Sequence, residues 1–157
     1  MKRACTEEQV NIRKEEIINT VSKMFDEMDY QNISMKTISE KISIARSSLY
    51  CYYNSKEEIM LDVLKNDYIK FLKTIIEDFE KKDTIEELTD NITDAYMNNL
   101  RVMKIISLYL TDIEIHCSLG SLVNFKKDFV TYMLDLKKSI CKRFNNIPEK
   151  ESLIIYK

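Results

Sequence analysis

Residues 33–58 read ISMKTISEKISIARSSLYCYYNSKEE, and within them the residue types that could do chemistry fall on one side. Ile38, Ile42, Ile44 and Leu49 are spaced to close a small core between two short helices. Arg46, Ser47, Ser48 and Tyr50 are left facing outward. An arginine can bond guanine at two acceptors at once, and serine hydroxyls reach a base edge or a phosphate. Tyr52 and Lys56 follow with donors suited to phosphate oxygens, and Ser34 and Lys36, at the start of the preceding helix, complete the candidate DNA-contacting set. Lys56 sits in the first turn of the next helix, where free backbone N–H groups and the dipole favour an anion. A cation placed there makes sense beside a phosphate. The bland alternative is a helix-loop-helix with a solvated face and three tyrosines packed as core.

No other constellation suggests catalysis. With a single histidine, His116, there is no Ser-His-Asp set, and with a single glycine, Gly120, no phosphate loop. Cys5, Cys51, Cys117 and Cys141 form no CxxC pair, so a zinc site is not expected; scattered thiols suit a reducing cytosol. The sequence therefore points away from an enzyme and implies no cofactor and no metal. His116 beside Cys117 is the one weak metal hint.

The elements that must position these residues are helical. One glycine and one proline in 157 residues favour long helices with short connections over sheets. Thr6-Glu-Glu-Gln9 reads as a capping box, followed by Val10, Ile17, Ile18, Val21, Met24, Phe25 and Met28 on one face, with a stop at Asp29–Asn32. Ser34 caps a second helix, and a third runs from about Ala45 to Tyr52. Ser55-Lys-Glu-Glu58 opens a long helix to Lys81, roughly 40 Å at ~1.5 Å per residue. Thr84-Ile-Glu-Glu87 opens a fifth. Leu100–Ile115 is apolar on most sides and reads as a buried central helix. Gly120 marks a break before a seventh helix, which ends at Asn145–Pro148, and Glu149–Lys157 begins another helical pattern.

No apolar run reaches the ~18–20 residues needed to cross a bilayer, and Met1–Val10 lacks the apolar stretch of a secretory signal, so a cytoplasmic protein is expected. Net charge is −2; residues 1–56 carry nine Lys/Arg against eight Asp/Glu, an asymmetry too mild to decide for or against DNA.

The stretch of residues 10–60 resembles the N-terminal domain of the TetR family of bacterial regulators. The match rests on Phe25, Ile38-Ser39, Ser43-Ile44-Ala45, Ser48-Leu49-Tyr50 and Tyr53-Asn54-Ser55-Lys56-Glu57. Ser43 stands where the family has a turn glycine, Ala45 where it has serine, and Tyr53 where it has phenylalanine. The resemblance implies an all-α fold: a three-helix helix-turn-helix head, residues 1–54, followed by a helical-bundle body, residues 55–157, that binds an effector and dimerises. It implies a sequence-specific DNA-binding transcription regulator, a repressor released from a near-palindromic double-stranded operator by a small apolar or amphipathic ligand. Candidate pocket residues are Phe71, Ile75, Tyr96, Met103, Tyr109, His116, Phe129 and Met133, with ordinary core packing as the competing reading. A homodimer is expected through the seventh helix, with Phe129, Met133, Leu136 and Ile140 as candidates. Members of the family usually end with two more helices, so the chain is either truncated or dimerises through the seventh helix and tail. The competing function is a helical interaction protein with a degenerate DNA-binding head.

Overall fold

Thr6 begins the first helix as the sequence predicts: its hydroxyl accepts from Gln9 N–H at 3.3 Å and the Gln9 side chain returns to Thr6 N–H at 3.1 Å. The computed structural model describes residues 6–81 and 84–144, and every regular element among them is helical. These are α1 (Glu7–Glu27), a 3-10 turn (Tyr30–Asn32), α2 (Met35–Ile42), α3 (Arg46–Leu49), α4 (Lys56–Glu80), α5 (Ile85–Asn98), α6 (Leu100–Lys104), a π-helical turn (Ile105–Tyr109), α7 (Leu110–His116) and α8 (Leu119–Arg143). Thr84 and Glu87 form another reciprocal cap. Ser55 caps α4 only by half: its hydroxyl accepts from Glu58 N–H, while the Glu58 carboxylate turns elsewhere. Cys5, the stop at Asn145–Pro148 and the tail from Glu149 lie outside the described residues.

The packing divides the chain into two compact units. The first holds the described residues of 1–64 together with 108–122, and the second those of 65–107 and 123–157. This differs from a boundary at residue 54. The first unit takes in the start of α4 and all of α7, because side chains there are bonded to the helix-turn-helix. Tyr30 OH donates to Asp112 Oδ2 at 3.1 Å, and the Tyr30 and Tyr109 rings lie 4.6 Å apart. Phe25 meets Tyr109 edge-on at 5.8 Å. Burial first, then the neighbouring Glu57 and Asp112, push the Tyr30 phenol well above its ordinary range, so it stays a donor. Ile17, Val21, Met24, Ile38, Leu49, Ile59 and Ile113 are among the fully buried apolar positions of this unit.

In the second unit Phe71, Leu72 and Ile75 of α4, Ala95 of α5, and Leu136 and Ile140 of α8 form one buried cluster. This corrects the expected dimer residues. Leu136 and Ile140 are internal core, Phe129 is stacked on Tyr68, and Met133 accepts a hydrogen bond from Tyr68. The outward face of α8 carries Leu119, Val123, Val130 and Leu134 instead, all at least half exposed.

Two further expectations fail. Residues 100–115 are not one buried helix: the π-helical turn interrupts them, and Leu100, Leu108 and Ile115 are mostly exposed. Gly120 is not the break before the last helix either. It lies in the first turn of α8, where an added Cβ would meet nothing within 4 Å. The break is the extended Cys117, with Ser118 as the cap, its hydroxyl accepting from Ser121 N–H at 3.3 Å.

Ser43 ends α2 at φ 59°, ψ 42°, the left-handed geometry expected where the family has glycine. An L-residue there costs about 1–2 kcal/mol. Glycine removes that cost but loses more backbone entropy on folding. Ser43→Gly is therefore expected to raise stability by about 0.5–1 kcal/mol, read as a higher melting temperature with an unchanged helical spectrum.

Candidate nucleic-acid interface and ligand cavity

The interface is built on α2 and α3. Ser34 and Thr37 cap α2 reciprocally, with Ser34 Oγ accepting from Thr37 N–H at 3.2 Å and Thr37 Oγ1 from Ser34 N–H at 2.9 Å. The Ser34 hydroxyl is thus already occupied by the fold. Ser39 is buried and donates to the Lys36 carbonyl at 2.8 Å, while the Lys36 ammonium lies 3.9 Å from Glu40 on the exposed face of α2. Such an exposed pair is worth well under ~1 kcal/mol and yields readily to a phosphate. Ile44 N–H closes the turn on the Ser39 carbonyl at 3.0 Å.

Ala45 precedes α3 without a side-chain cap, the expected consequence of losing the family's serine. Leu49 is completely buried, and Arg46, Ser47 and Ser48 are all exposed on a helix of one turn. The expected helix to Tyr52 is shorter because Cys51 and Tyr52 N–H close onto the Ser48 and Leu49 carbonyls as turns. Arg46 Nη2 donates to Tyr50 OH at 3.1 Å, with the guanidinium carbon 5.6 Å from the Tyr50 ring centre. The arginine is held outstretched along α3 rather than left to explore its rotamers.

The three tyrosines part company. Tyr50 is 44% exposed, Tyr52 half-buried and Tyr53 buried. Tyr53 OH donates to Asp62 at 2.9 Å, which explains how a tyrosine is accommodated where phenylalanine is usual. Burial, then Asp62, pushes its phenol far up. Lys56 is half-buried at the start of α4. Its ammonium donates to the Tyr30 carbonyl at 3.1 Å and lies 4.1 Å above the Tyr30 ring. One of its three donors is therefore fixed, and the ammonium is anchored beside the helix-turn-helix.

Sequence reasoning missed the residue that braces this arrangement. Glu58, 7% exposed, accepts from Asn54 N–H at 3.0 Å, Asn54 Nδ2 at 3.1 Å, Ser121 Oγ at 3.1 Å and Ser118 N–H at 3.4 Å. Burial pushes its carboxyl up, but the bonds from Ser118, Asn54 and Ser121 outweigh that and hold it below the ordinary carboxylate range. Its place in a Ser-x-x-Glu pattern was the only signal available, and that signal names a local partner instead of these distant ones. Nearby Cys117 is pushed up to about 12 by burial and by Glu58 and Glu57, so its thiol stays protonated. His116 Nδ1 bonds the Asp112 carbonyl at 2.8 Å.

The second unit contains a cavity of about 310 Å³. Four of the candidate pocket residues, Phe71, Ile75, Tyr96 and Met133, line it. Met103 packs against the same core, and Phe129 stacks on Tyr68, a lining residue, at 5.0 Å. Tyr109 and His116 belong to the first unit, bonded and packed as described above, and do not line the cavity. Tyr109 was a candidate by its aromatic side chain at helical spacing and His116 as the single histidine, and neither signal says which core a helix serves.

Residues 17–63 match the family described as bacterial regulatory proteins, tetR family. Among curated proteins, the chain is 36% identical over 62 residues to an uncharacterized HTH-type transcriptional regulator, YxbF, of Bacillus subtilis, covering 40% of this chain and 16% of that protein. It is 28% identical over 75 residues to the biofilm operon icaADBC HTH-type negative transcriptional regulator IcaR of Staphylococcus epidermidis, covering 48% and 40%. The chain spans less than half the length of these relatives. Among solved structures, the fatty acid degradation regulator FadR from Bacillus halodurans superimposes with a TM-score of 0.60 at 15% identity, over 92% of this chain and 78% of that one, a likeness of fold.

Proposed function

We propose that this chain, which belongs to the TetR family of bacterial regulatory proteins through its helix-turn-helix head, is a sequence-specific DNA-binding transcription regulator, without catalytic activity, that works in the bacterial cytoplasm. The observation that carries the reading is α3: Leu49 locked in the core and Arg46, Ser47 and Ser48 turned out together, with Arg46 braced on Tyr50. Arg46 is the base reader, Ser47 and Ser48 reach base edges or phosphate, and Lys36, Tyr52 and Lys56 hold the backbone. Ser34 contributes through its helix terminus more than its hydroxyl. Selection of binding sites from random duplexes tests the reading; recovery of no motif at low salt would favour a helical interaction protein with a degenerate head.

Lys56→Ala is expected to weaken binding to all sequences alike and to lower the salt slope of the binding constant by about one ion. An unaltered slope would remove Lys56 from the phosphate contacts and leave it a brace for Tyr30.

The regulator acts as a homodimer on a near-palindromic operator, since one short α3 offers too few contacts for specific affinity. Leu119, Val123, Val130 and Leu134 recur at steps of four and seven along α8, the spacing of a helix-pairing seam, and this exposed stripe supports α8 as the shared surface. Leu134→Glu is expected to leave only an 18.7 kDa species in sedimentation where the unaltered chain gives twice that mass. Repression agrees with the named role of the Staphylococcus epidermidis relative, and release by an apolar ligand in the second-unit cavity agrees with that cavity's walls.

A further inference from the structure

We propose that the cavity of the second unit selects a small uncharged ring compound and turns anions away; this rests on the reading that the cavity is the effector site. Tyr68, Phe71, Phe79 and Tyr96 supply aromatic walls, and Ile92 and Met133 supply aliphatic ones. The Phe71 and Tyr96 rings meet edge to face at 5.0 Å and 73°, the pairing into which a third flat ring inserts with its edge or face satisfied. Among the described residues that line the cavity, none bears a charge. Three cations of the same unit lie on carboxylates: Arg101 on Asp67 at 2.6 Å, Lys65 on Asp128 at 2.5 Å and Lys81 on Asp78 at 2.6 Å. A carboxylate, sulfonate or phosphate entering the cavity would shed its water with no cation to replace it, the costliest form of burial. A neutral molecule sheds only weakly held water and gains dispersion contacts, and a hydroxyl or amine on it can meet the half-exposed Tyr96 phenol. The size sets a second limit. About 310 Å³ lies at the small end of ligand sites, ~300–1,000 Å³, and suits two or three fused or linked rings.

Two fluorescent probes share one ring skeleton and differ by a single charge: N-phenyl-1-naphthylamine and 8-anilino-1-naphthalenesulfonate. Titrated against the full chain, the uncharged amine is expected to saturate at one per chain and to bind at least tenfold more tightly than the sulfonate. Equal or tighter binding of the sulfonate overturns the proposal, as does failure of the amine to bind saturably. Ile92→Lys puts a cation on the wall and, with helical content unchanged, should shift the ratio at least tenfold toward the sulfonate. An unshifted ratio in the folded variant places the probes elsewhere and also overturns it. If Ile92→Lys does not fold, the two-probe ratio on the unaltered chain decides alone. Operator binding is measured separately with the amine present. An amine that binds selectively but leaves DNA bound upholds the cavity's chemistry and sinks the effector reading.

Discussion

Glu58→Ala is expected to lower the unfolding free energy by about 2–4 kcal/mol. The carboxylate takes four hydrogen bonds from Asn54, Ser118 and Ser121, and alanine leaves those donors facing a gap that water enters only in part. Glu58→Gln keeps one acceptor oxygen and should lose about half as much. The pH dependence separates charge from shape. A carboxyl depressed in the folded state contributes stability above its unfolded value, about 4.3, and loses it as pH falls through the folded value. The difference between the unaltered chain and Glu58→Gln in urea unfolding should therefore shrink on going from about pH 6 to about pH 3. A difference that stays constant would mean the charge contributes nothing and the bonds act through geometry alone.

Arg46→Ala is expected to weaken binding to the selected operator by roughly 5–150-fold, about 1–3 kcal/mol, and to flatten base preference at one position per half-site. Both effects follow from a bidentate contact to guanine by a side chain already extended on Tyr50. Tyr50→Phe keeps the ring beneath the guanidinium and loses the hydroxyl acceptor, so it should produce a smaller change of the same kind. A selection that returns an identical motif with unaltered affinity for Arg46→Ala would show that α3 reads shape through its serines and backbone.

Local chemistry was the legible part of this fold. Thr6, Ser34 and Thr84 announce helix starts because a cap needs only residues three apart, and Ser43 marks a left-handed turn because it stands where the resembled family has a turn glycine. Long-range partners were not legible. Nothing near Tyr30 in sequence foretells Asp112, and nothing near Glu58 foretells Ser121. Helix phase failed where a helix is apolar on more than one side. On α8 the set Phe129, Met133, Leu136 and Ile140 and the set Leu119, Val123, Val130 and Leu134 have equally good spacing, and only packing tells the inner from the outer. The same ambiguity placed Tyr109 among the pocket candidates, whereas His116 was placed there as the chain's single histidine. At the site, the outward direction of Arg46, Ser47 and Ser48 was readable from their polar side chains, Leu49 being the one apolar residue of α3; the bond from Arg46 to Tyr50 was not.

The joining of residues 108–122 to the helix-turn-helix sets an order of assembly. A ribosome adds ~5–20 residues per second, so Leu122 is made on the order of 3–12 s after Leu64. During that interval the nascent helix-turn-helix has Tyr30 without Asp112, and Glu58 without Ser118 and Ser121. The segment translated first is thus among the last to be completed, and a fragment ending at Leu64 remains permanently at that unfinished stage.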